Sequence, residues 1–408
     1  MKKYYLLSTT EGCATNLLEN AGHREHYNAQ GYAAAASSDD ADVILINTCA
    51  YNKAMEDRTT GMIAEYQKKY PGKEIVVAGC FPKINPKKAK SFSDVTILDQ
   101  NPRTTSFAQF HKFNKEDFER LSKKHKFVLK MRPLYFAIEK LFKMEFRPLH
   151  NIVKSVIVNE DFFLITVSTG CVGKCTFCAI KRAKGSLKSR PLPTILSEFE
   201  TGLKAGYKNF WLLGDDIGCW GQDIGMNITD LVNGFLSREG QFEIVLNYLD
   251  PQFMQKYPEG VVQVLSDPRI VGINLPIQSA SAPVLAAMER YYDPATIEKL
   301  MAEVKQKNPA LAIKTNIIVG FPGETWGDFF KSVRSVFSFD AVLAMRFAAK
   351  AHTPAANFPN QVPEILKLAR MAIMNTAILA RHGWVVLKSL FDSRPQEPLH
   401  SLDRVHQH

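Results

Sequence analysis

The sequence has little that would mark a secreted or membrane-bound protein. Only 7 cysteines occur in 408 residues, too few for a disulfide scaffold. No stretch approaches the roughly 18 uncharged apolar residues that a membrane-spanning helix needs. The opening Met-Lys-Lys-Tyr-Tyr-Leu-Leu-Ser reaches Glu11 too early for the apolar region of a signal peptide, so a cytoplasmic protein with reduced thiols is expected. Acid is in deficit too, with 41 Asp and Glu against 51 Lys and Arg and a net charge of +10. What is present is 46% hydrophobic and 11% aromatic residues with 23% charged, the balance of a chain that buries sizeable cores. Disordered, collagen-like and mucin-like classes are excluded, and at roughly 100–200 residues per domain the length suits two or three domains.

Short apolar runs alternate with helical patterns through the first hundred residues: Tyr4–Ser8, a helical stretch from Leu17, Val43–Asn47, Lys53–Tyr70 and Ile75–Ala78. Met55, Met62, Ile63, Tyr66 and Tyr70 recur at helical spacing, and Pro71-Gly72 stops that helix. The reading is βαβαβ, a Rossmann-like domain over residues 1–105. From 161 to 350 six further runs alternate with helices: Phe163–Ser168, Asn209–Leu213, Phe242–Asn247, Val271–Leu275, Ala312–Ile318 and Ala341–Arg346. Six βα units fall short of the eight that close a barrel, so a partial (β/α)6 barrel is expected and the fold class is α/β. Residues 106–160 form a connector whose core, His111–Lys154, carries 12 Lys and Arg against 5 Asp and Glu, a net charge of +7. Residues 351–408 read as a helix followed by a polar tail.

Cysteine placement carries the chemistry. Cys171-Val-Gly-Lys-Cys175-Thr-Phe-Cys178 follows a predicted strand directly. A [4Fe–4S] cube normally takes four thiolates, so three from one tight loop leave one iron open for a small molecule. A structural zinc site is the competing reading, but it requires four ligands and usually a second Cys pair, and none is near. Cys13, Cys49 and Cys80 each come just after one of the first three strands. In a parallel sheet the carboxyl ends of strands share one rim, so these three thiols are expected to converge; the alternative is ordinary burial of small apolar residues. Cys219, in Gly218-Cys-Trp-Gly221, reads as a plain thiol near the barrel mouth.

The C-x3-C-x2-C motif on the first strand of a βα arc resembles the radical S-adenosylmethionine (SAM) superfamily. Within it, the chain is similar to the methylthiotransferase family. Glu11-Gly-Cys-Ala-Thr-Asn16, Ala41-Asp-Val-Ile-Leu-Ile-Asn-Thr-Cys49 and Ala78-Gly-Cys80 resemble that family's amino-terminal motifs. Cys171–Ile180, Ser189-Arg-Pro191, Leu275-Pro-Ile-Gln-Ser279, Met288-Glu-Arg290 and Ile318-Val-Gly-Phe-Pro-Gly-Glu-Thr325 resemble its radical domain. The resemblance implies two [4Fe–4S] clusters. One, held by Cys171, Cys175 and Cys178, would bind SAM and reduce it to methionine and a 5′-deoxyadenosyl radical, which abstracts hydrogen from an unreactive C–H. The other, held by Cys13, Cys49 and Cys80, would deliver the methylthio group. An electron donor of the flavodoxin or ferredoxin type is implied as partner.

Polar residues at strand ends complete the candidate set. Asp215 and Asp216 end the second barrel strand, where the family usually shows Gly-Gln; either carboxylate could accept from the SAM ammonium, or serve as a turn or helix cap. Asn247 and Gln278 also end barrel strands, and Arg190 and Arg290 match family arginines that could pair with a carboxylate or phosphate, with simple salt bridges as the alternative. Gly320-Phe-Pro-Gly-Glu324 lacks the Gly-Lys-Ser/Thr of a phosphate loop and is expected to shape a turn. Family members that act on transfer RNA (tRNA) or a ribosomal protein generally end in a small β-barrel, the TRAM domain. The residues after Trp384 show no such strand pattern, and Asn316 stands where Asp is common. These departures favour a peptide or small-molecule substrate, with tRNA as the alternative and a non-catalytic or electron-transfer iron–sulfur protein as a third reading. The basic segment suits an acidic partner or a solvated connector equally.

Overall fold

The computed structural model describes residues 1–9, 14–51, 53–98, 162–350 and 352–391. The basic segment 111–154, the connector 106–160, Cys13 and the polar tail lie outside the described residues.

The first layer runs β1 (Lys3–Ser8), α1 (Ala14–Ala29), β2 (Ala33–Ala34), β3 (Val43–Thr48), α2 (Lys53–Lys69), β4 (Glu74–Gly79), α3 (Phe81–Ile84), α4 (Pro86–Lys90) and β5 (Val95–Ile97). The strands are all parallel in the order β2-β1-β3-β4-β5. Every residue of β3 is buried, as expected of a parallel strand covered on both faces. Side chains alternate between those faces: Ile44 and Ile46 join Ile63, Tyr70, Ile75, Val77 and Phe81 on one side, whereas Val43 and Leu45 join Tyr4, Leu6, Tyr27, Val76 and Ala78 on the other. Helix α2 ends at Lys69, where Pro71 and Gly72 (φ +90°) follow.

The second layer contains β6 (Phe162–Thr166), the short pair β7 (Ser168–Thr169) and β8 (Lys188–Ser189) around α5 (Ile180–Lys184), then α6 (Leu192–Lys204), β9 (Asn209–Leu213), α7 (Ile228–Leu236), β10 (Glu243–Leu246), α8 (Pro251–Lys256) and α9 (Pro258–Leu265). It continues with β11 (Ile270–Asn274), α10 (Ala282–Ala287), α11 (Pro294–Lys307), β12 (Ala312–Val319), α12 (Trp326–Ser335), β13 (Ala341–Arg346) and α13 (Glu364–Phe391). Six strands pair in parallel in the unbroken order β13-β12-β11-β10-β9-β6. The two end strands do not pair, which leaves an open arc of six βα units. Alternate residues such as Phe163, Ile165, Phe210, Leu212 and Ile244 pack under the helices. Their neighbours Phe162, Leu164, Trp211, Leu213, Val245 and Val271 form a separate cluster on the other face, against which Leu18 of α1 packs. The Gly320–Glu324 segment is a turn, with Glu324 accepting from the Gly320 N–H at 2.8 Å and paired with Arg370 of α13 at 2.7 Å. Among the described residues no helix is long and apolar enough to cross a membrane.

The two layers meet through short helices. Ala179 and Ala183, in and just before α5, belong to the core of the first sheet, and Arg182 Nε donates to the Lys83 carbonyl at 3.2 Å. Two buried ion pairs lock the junction: Lys184 with Glu19 at 2.7 Å and Lys350 with Glu56 at 2.8 Å. Burial pushes the Glu56 carboxyl up, but Lys350 and then Lys88 outweigh it and hold Glu56 below its ordinary range.

Lys350→Met should therefore destabilise the fold by about 2–3 kcal/mol, less than the ~3–5 kcal/mol of a wholly stranded buried charge because Lys88 remains. Because the folded-state pKa is depressed, the Glu56 contribution is present above the ordinary carboxylate value of about 4.3 and is lost as pH falls through the folded value. Urea unfolding at neutral and acid pH measures both, and Glu56→Gln should flatten the acid limb; an unchanged limb would show that the pair does not govern it.

Candidate functional site

Because all six strands of the arc are parallel, their carboxyl ends deliver the following loops to one rim. The loop after β6 and β7 carries the three clustered cysteines, all half-buried. Its entry is clamped at Gly170, whose φ is +73° and whose missing Cβ would lie 2.1 Å from the Ser186 carbonyl oxygen, so only glycine fits. The Gly170 N–H donates to Asp215 Oδ2 at 2.7 Å. Further along, Thr176 donates its N–H to Met288 O at 3.1 Å and its hydroxyl to Ala287 O at 2.8 Å, while the Ala355 N–H donates to Thr176 O at 3.0 Å. The loop is thus tied to both β7–β8 and the Met288–Arg290 turn.

Two thiols flank one glycine. The Gly173 N–H donates to Cys171 Sγ at 3.1 Å, and a Cβ added at Gly173 would lie 3.2 Å from Cys171 Sγ and 3.7 Å from Cys175 Sγ. Lys181 Nζ closes the turn on Gly173 O at 2.6 Å. The nearby Cys219 sulfur, opposed by burial and helped by the Gly173 N–H, draws the Cys171 thiol down to about 7. Burial lifts Cys175 to about 11 and raises Cys178 as well. Three thiols in one glycine-cradled loop, with backbone N–H groups directed at sulfur, fit a [4Fe–4S] cluster that keeps one iron free of protein ligands.

Beneath the loop lies a buried charge network. Arg290, 8% exposed, pairs through Nη1 with Asp250 at 3.0 Å, donates through Nη2 to Pro276 O at 2.7 Å, and has Nη1 3.8 Å from Cys175 Sγ. Asp216 Oδ1 accepts from the N–H groups of Gly218 (3.0 Å) and Asp250 (3.1 Å), and Oδ2 lies 4.0 Å from Cys171 Sγ. Burial first, then the charges of Asp250 and Cys171, push the Asp216 carboxyl well above its usual range. Asp216 therefore sits as a buried cap on the turn Ile217–Cys219, whereas half-buried Asp215 braces the loop entry. Arg190 is directed elsewhere, donating to Thr166 O at 2.6 Å and pairing with buried Glu198 at 2.7 Å.

Amide side chains line the neighbouring strand ends. Asn274 Nδ2 donates to Asn247 Oδ1 at 3.4 Å. Gln278 adopts φ +61°; its backbone N–H donates to Asn316 O and its carbonyl accepts from the Ile318 N–H, each at 2.8 Å. The side-chain oxygens of Asn274, Gln278 and Asn316 are buried without a hydrogen-bond partner. An unsatisfied buried acceptor costs about 1–3 kcal/mol, so three on adjoining strands mark a place for a ligand rich in hydrogen-bond donors. Asn274 was not singled out from the sequence. Its position at a strand end, four residues before Gln278, was the available signal.

On the first sheet, Cys49 and Cys80 follow the paired strands β3 and β4, so both stand at one rim, beside the switch between β1 and β3 where ligands of such sheets bind. The Cys49 N–H donates to Thr9 Oγ1, and the Cys80 N–H to Thr48 O, each at 2.9 Å. Gly79, at φ +91°, has space only for hydrogen, since a Cβ would lie 2.3 Å from Thr48 O. For Cys219 the sequence suggests a plain thiol. The structure buries it fully and brings its sulfur, a carboxylate oxygen of Asp216 and the Cys171 sulfur within 4.8 Å of one another.

Comparison with known proteins reaches both sheets. Residues 5–98 match the uncharacterized protein family UPF0004, and residues 165–336 match the radical SAM superfamily. A probable threonylcarbamoyladenosine tRNA methylthiotransferase of Pyrococcus abyssi is 27% identical over 359 residues, covering 86% of this chain and 78% of that protein. The threonylcarbamoyladenosine tRNA methylthiotransferase of Homo sapiens is 30% identical over 368 residues, covering 88% of this chain and 60% of its own length. Among solved structures, the radical SAM methyltransferase TsrM of Kitasatospora setae superposes with a TM-score of 0.55 at 13% identity, covering 87% of this chain and 75% of that one, a likeness of fold.

Removing Arg290 tests the network under the loop. Arg290→Met strands Asp250 beside Asp216 and should cost about 3–5 kcal/mol, whereas Arg290→Lys, which keeps the charge but not the forked contact to Asp250 and Pro276 O, should fall between. Equal stability of all three proteins in denaturant unfolding would contradict the arrangement.

Proposed function

Because the chain belongs to the radical SAM methylthiotransferase family, we propose that it methylthiolates tRNA at threonylcarbamoyladenosine. The observation that carries this reading is the extent of the likeness: relatives of that name match 86–88% of the chain, across both sheets and not the radical domain alone. The peptide or small-molecule substrate expected from the lack of TRAM-like strands finds no support among these relatives, and tRNA, the alternative, fits better. The electron-transfer reading without catalysis gives way to an enzyme.

In this reading Cys171, Cys175 and Cys178 hold one [4Fe–4S] cluster, and Cys13, Cys49 and Cys80 hold a second at the rim of the first sheet. The first supplies the electron that cleaves SAM, drawn from a flavodoxin or ferredoxin type of donor. The protein's residues supply position. The Gly170–Asp215 clamp and the Thr176 anchors fix the loop, the amide oxygens of Asn274, Gln278 and Asn316 accept from SAM, and Leu18 covers the inner face of the arc. The basic segment 111–154 would meet tRNA phosphates, making affinity fall with salt by roughly 0.7–0.9 log units per phosphate contact per log unit of salt.

Reconstituted protein should hold about eight irons, four per cube. Changing Cys171, Cys175 and Cys178 to Ala should remove about half of them and all 5′-deoxyadenosine formation. Changing Cys13, Cys49 and Cys80 to Ala should instead preserve deoxyadenosine and stop sulfur transfer; methylthio transfer by that variant would reduce these cysteines to packing residues. The substrate is tested by incubating the loaded enzyme with tRNA that carries threonylcarbamoyladenosine but no methylthio group. Nucleoside mass spectrometry should find a gain of CH2S on that base alone, and transfer to a peptide with tRNA untouched would overturn the reading.

A further inference from the structure

The turn that carries Cys219 is held more firmly than its sequence requires. Asp216 caps it, and Gly218 presses so closely on α8 that a Cβ there would lie 2.5 Å from the Phe253 ring. Cys219 Sγ donates to the Asp216 carbonyl at 3.0 Å, inside the group in which the ligand atoms of Cys171, Asp216 and Cys219 lie within 4.8 Å of one another. Three donors do not close a structural zinc site, which takes four, and Asp216 Oδ1 already accepts two backbone N–H groups. Nor does Cys219 resemble the loop cysteines, which are half-buried whereas it is wholly covered. Its sulfur is fully buried beside Cys171.

We propose that Cys219 is a positioning residue whose S–H donates to the sulfur of Cys171 and thereby raises the reduction potential of the cluster held by the C-x3-C-x2-C loop. The inference rests on the assignment of that cluster. Hydrogen bonds to cluster sulfurs are among the factors that set iron–sulfur potentials, because they stabilise the more negative, reduced state. A cluster-bound thiolate would carry negative charge that the neutral Asp216 carbonyl lacks, and charge on the acceptor attracts the donor, so loading the cluster would draw the Cys219 S–H toward Cys171.

The test uses the full chain with Cys13, Cys49 and Cys80 changed to Ala, so that the loop cluster alone is observed. Iron content and deoxyadenosine formation of this background establish the cluster itself, and their absence would count against the cluster assignment separately from this proposal. EPR-monitored redox titration then compares Cys219 with Cys219→Ala, Cys219→Val and Cys219→Ser. The two apolar variants should keep the iron and shift the midpoint to more negative potential, with slower SAM cleavage by a fixed reductant. Ser, which keeps a donor, should return the midpoint to the parent value or above it. Loss of iron confined to the apolar variants, with Ser intact, again leaves the donor as the difference. Unchanged midpoints in apolar variants with full iron would overturn the proposal, and so would loss of iron in Ser and the apolar variants alike, which would make Cys219 a ligand.

Discussion

One short helix constrains both halves of this molecule. Helix α5 begins two residues after Cys178, the last cysteine of the loop, and Ala179 and Ala183 are buried in the core of the other sheet. Small residues are required there because α5 packs against α3, which itself begins directly after Cys80. The loop cysteines and the rim of the first sheet are therefore separated by one rigid, shared contact instead of a linker. Lys184 and Glu19, buried together at 2.7 Å, close the same junction from α1. Burying an ion pair is costly unless its geometry is good, and its use here fixes the register between two surfaces that each present thiols. In the proposed reaction a radical formed at one cysteine set and a sulfur held at the other must meet on one substrate, and a fixed separation would serve that meeting.

The charge network under the loop follows from the same demand. Asp250 and Asp216 would repel in a buried site, yet Arg290 reaches Asp250 and a backbone carbonyl, and backbone N–H groups satisfy Asp216. The result is a floor that carries charge without conformational freedom. Cys175 lies on that floor near the Arg290 guanidinium and Cys171 near Asp216, so thiols of the same loop meet opposite electrostatic surroundings.

Much of this was legible from sequence because buried parallel strands write themselves as continuous apolar runs. Asn209–Leu213 and Ala341–Arg346 form strands at the expected bounds, and the other major strands differ by one or two residues. Strands β2 and β5, of two and three residues, are too short to show a period. The three loop thiols were visible through their spacing, but the place of Cys219 was not, since nothing in Gly218-Cys-Trp-Gly221 relates it to Cys171. Its proximity comes from the pairing of β6 with β9, which brings together loops that are more than forty residues apart in the chain. Arg190 shows the opposite case: the motif put it at the site, while its guanidinium turns to Glu198 eight residues later. The peptide or small-molecule reading rested on missing strands, an absence that specifies no ligand, and the names of the relatives favour the tRNA alternative.

The unpartnered amide oxygens of Asn274, Gln278 and Asn316 are neutral acceptors on adjoining strands of the arc. Asn274 ends β11, Gln278 bridges to β12 four residues later and Asn316 lies within β12, and Gln278 reaches its place only by adopting a left-handed backbone, a conformation that costs a non-glycine residue of order 1–3 kcal/mol. Strain of that kind persists where the surroundings over-determine it, and here the Asn316 and Ile318 backbone bonds do so. Carboxylates at the same positions would bind a cation more tightly, but they would add buried negative charge to an arc that already buries Asp216 and Asp250. Amide oxygens accept the same hydrogen bonds without that repulsion. Asn316 therefore keeps an acceptor within β12 without adding negative charge there.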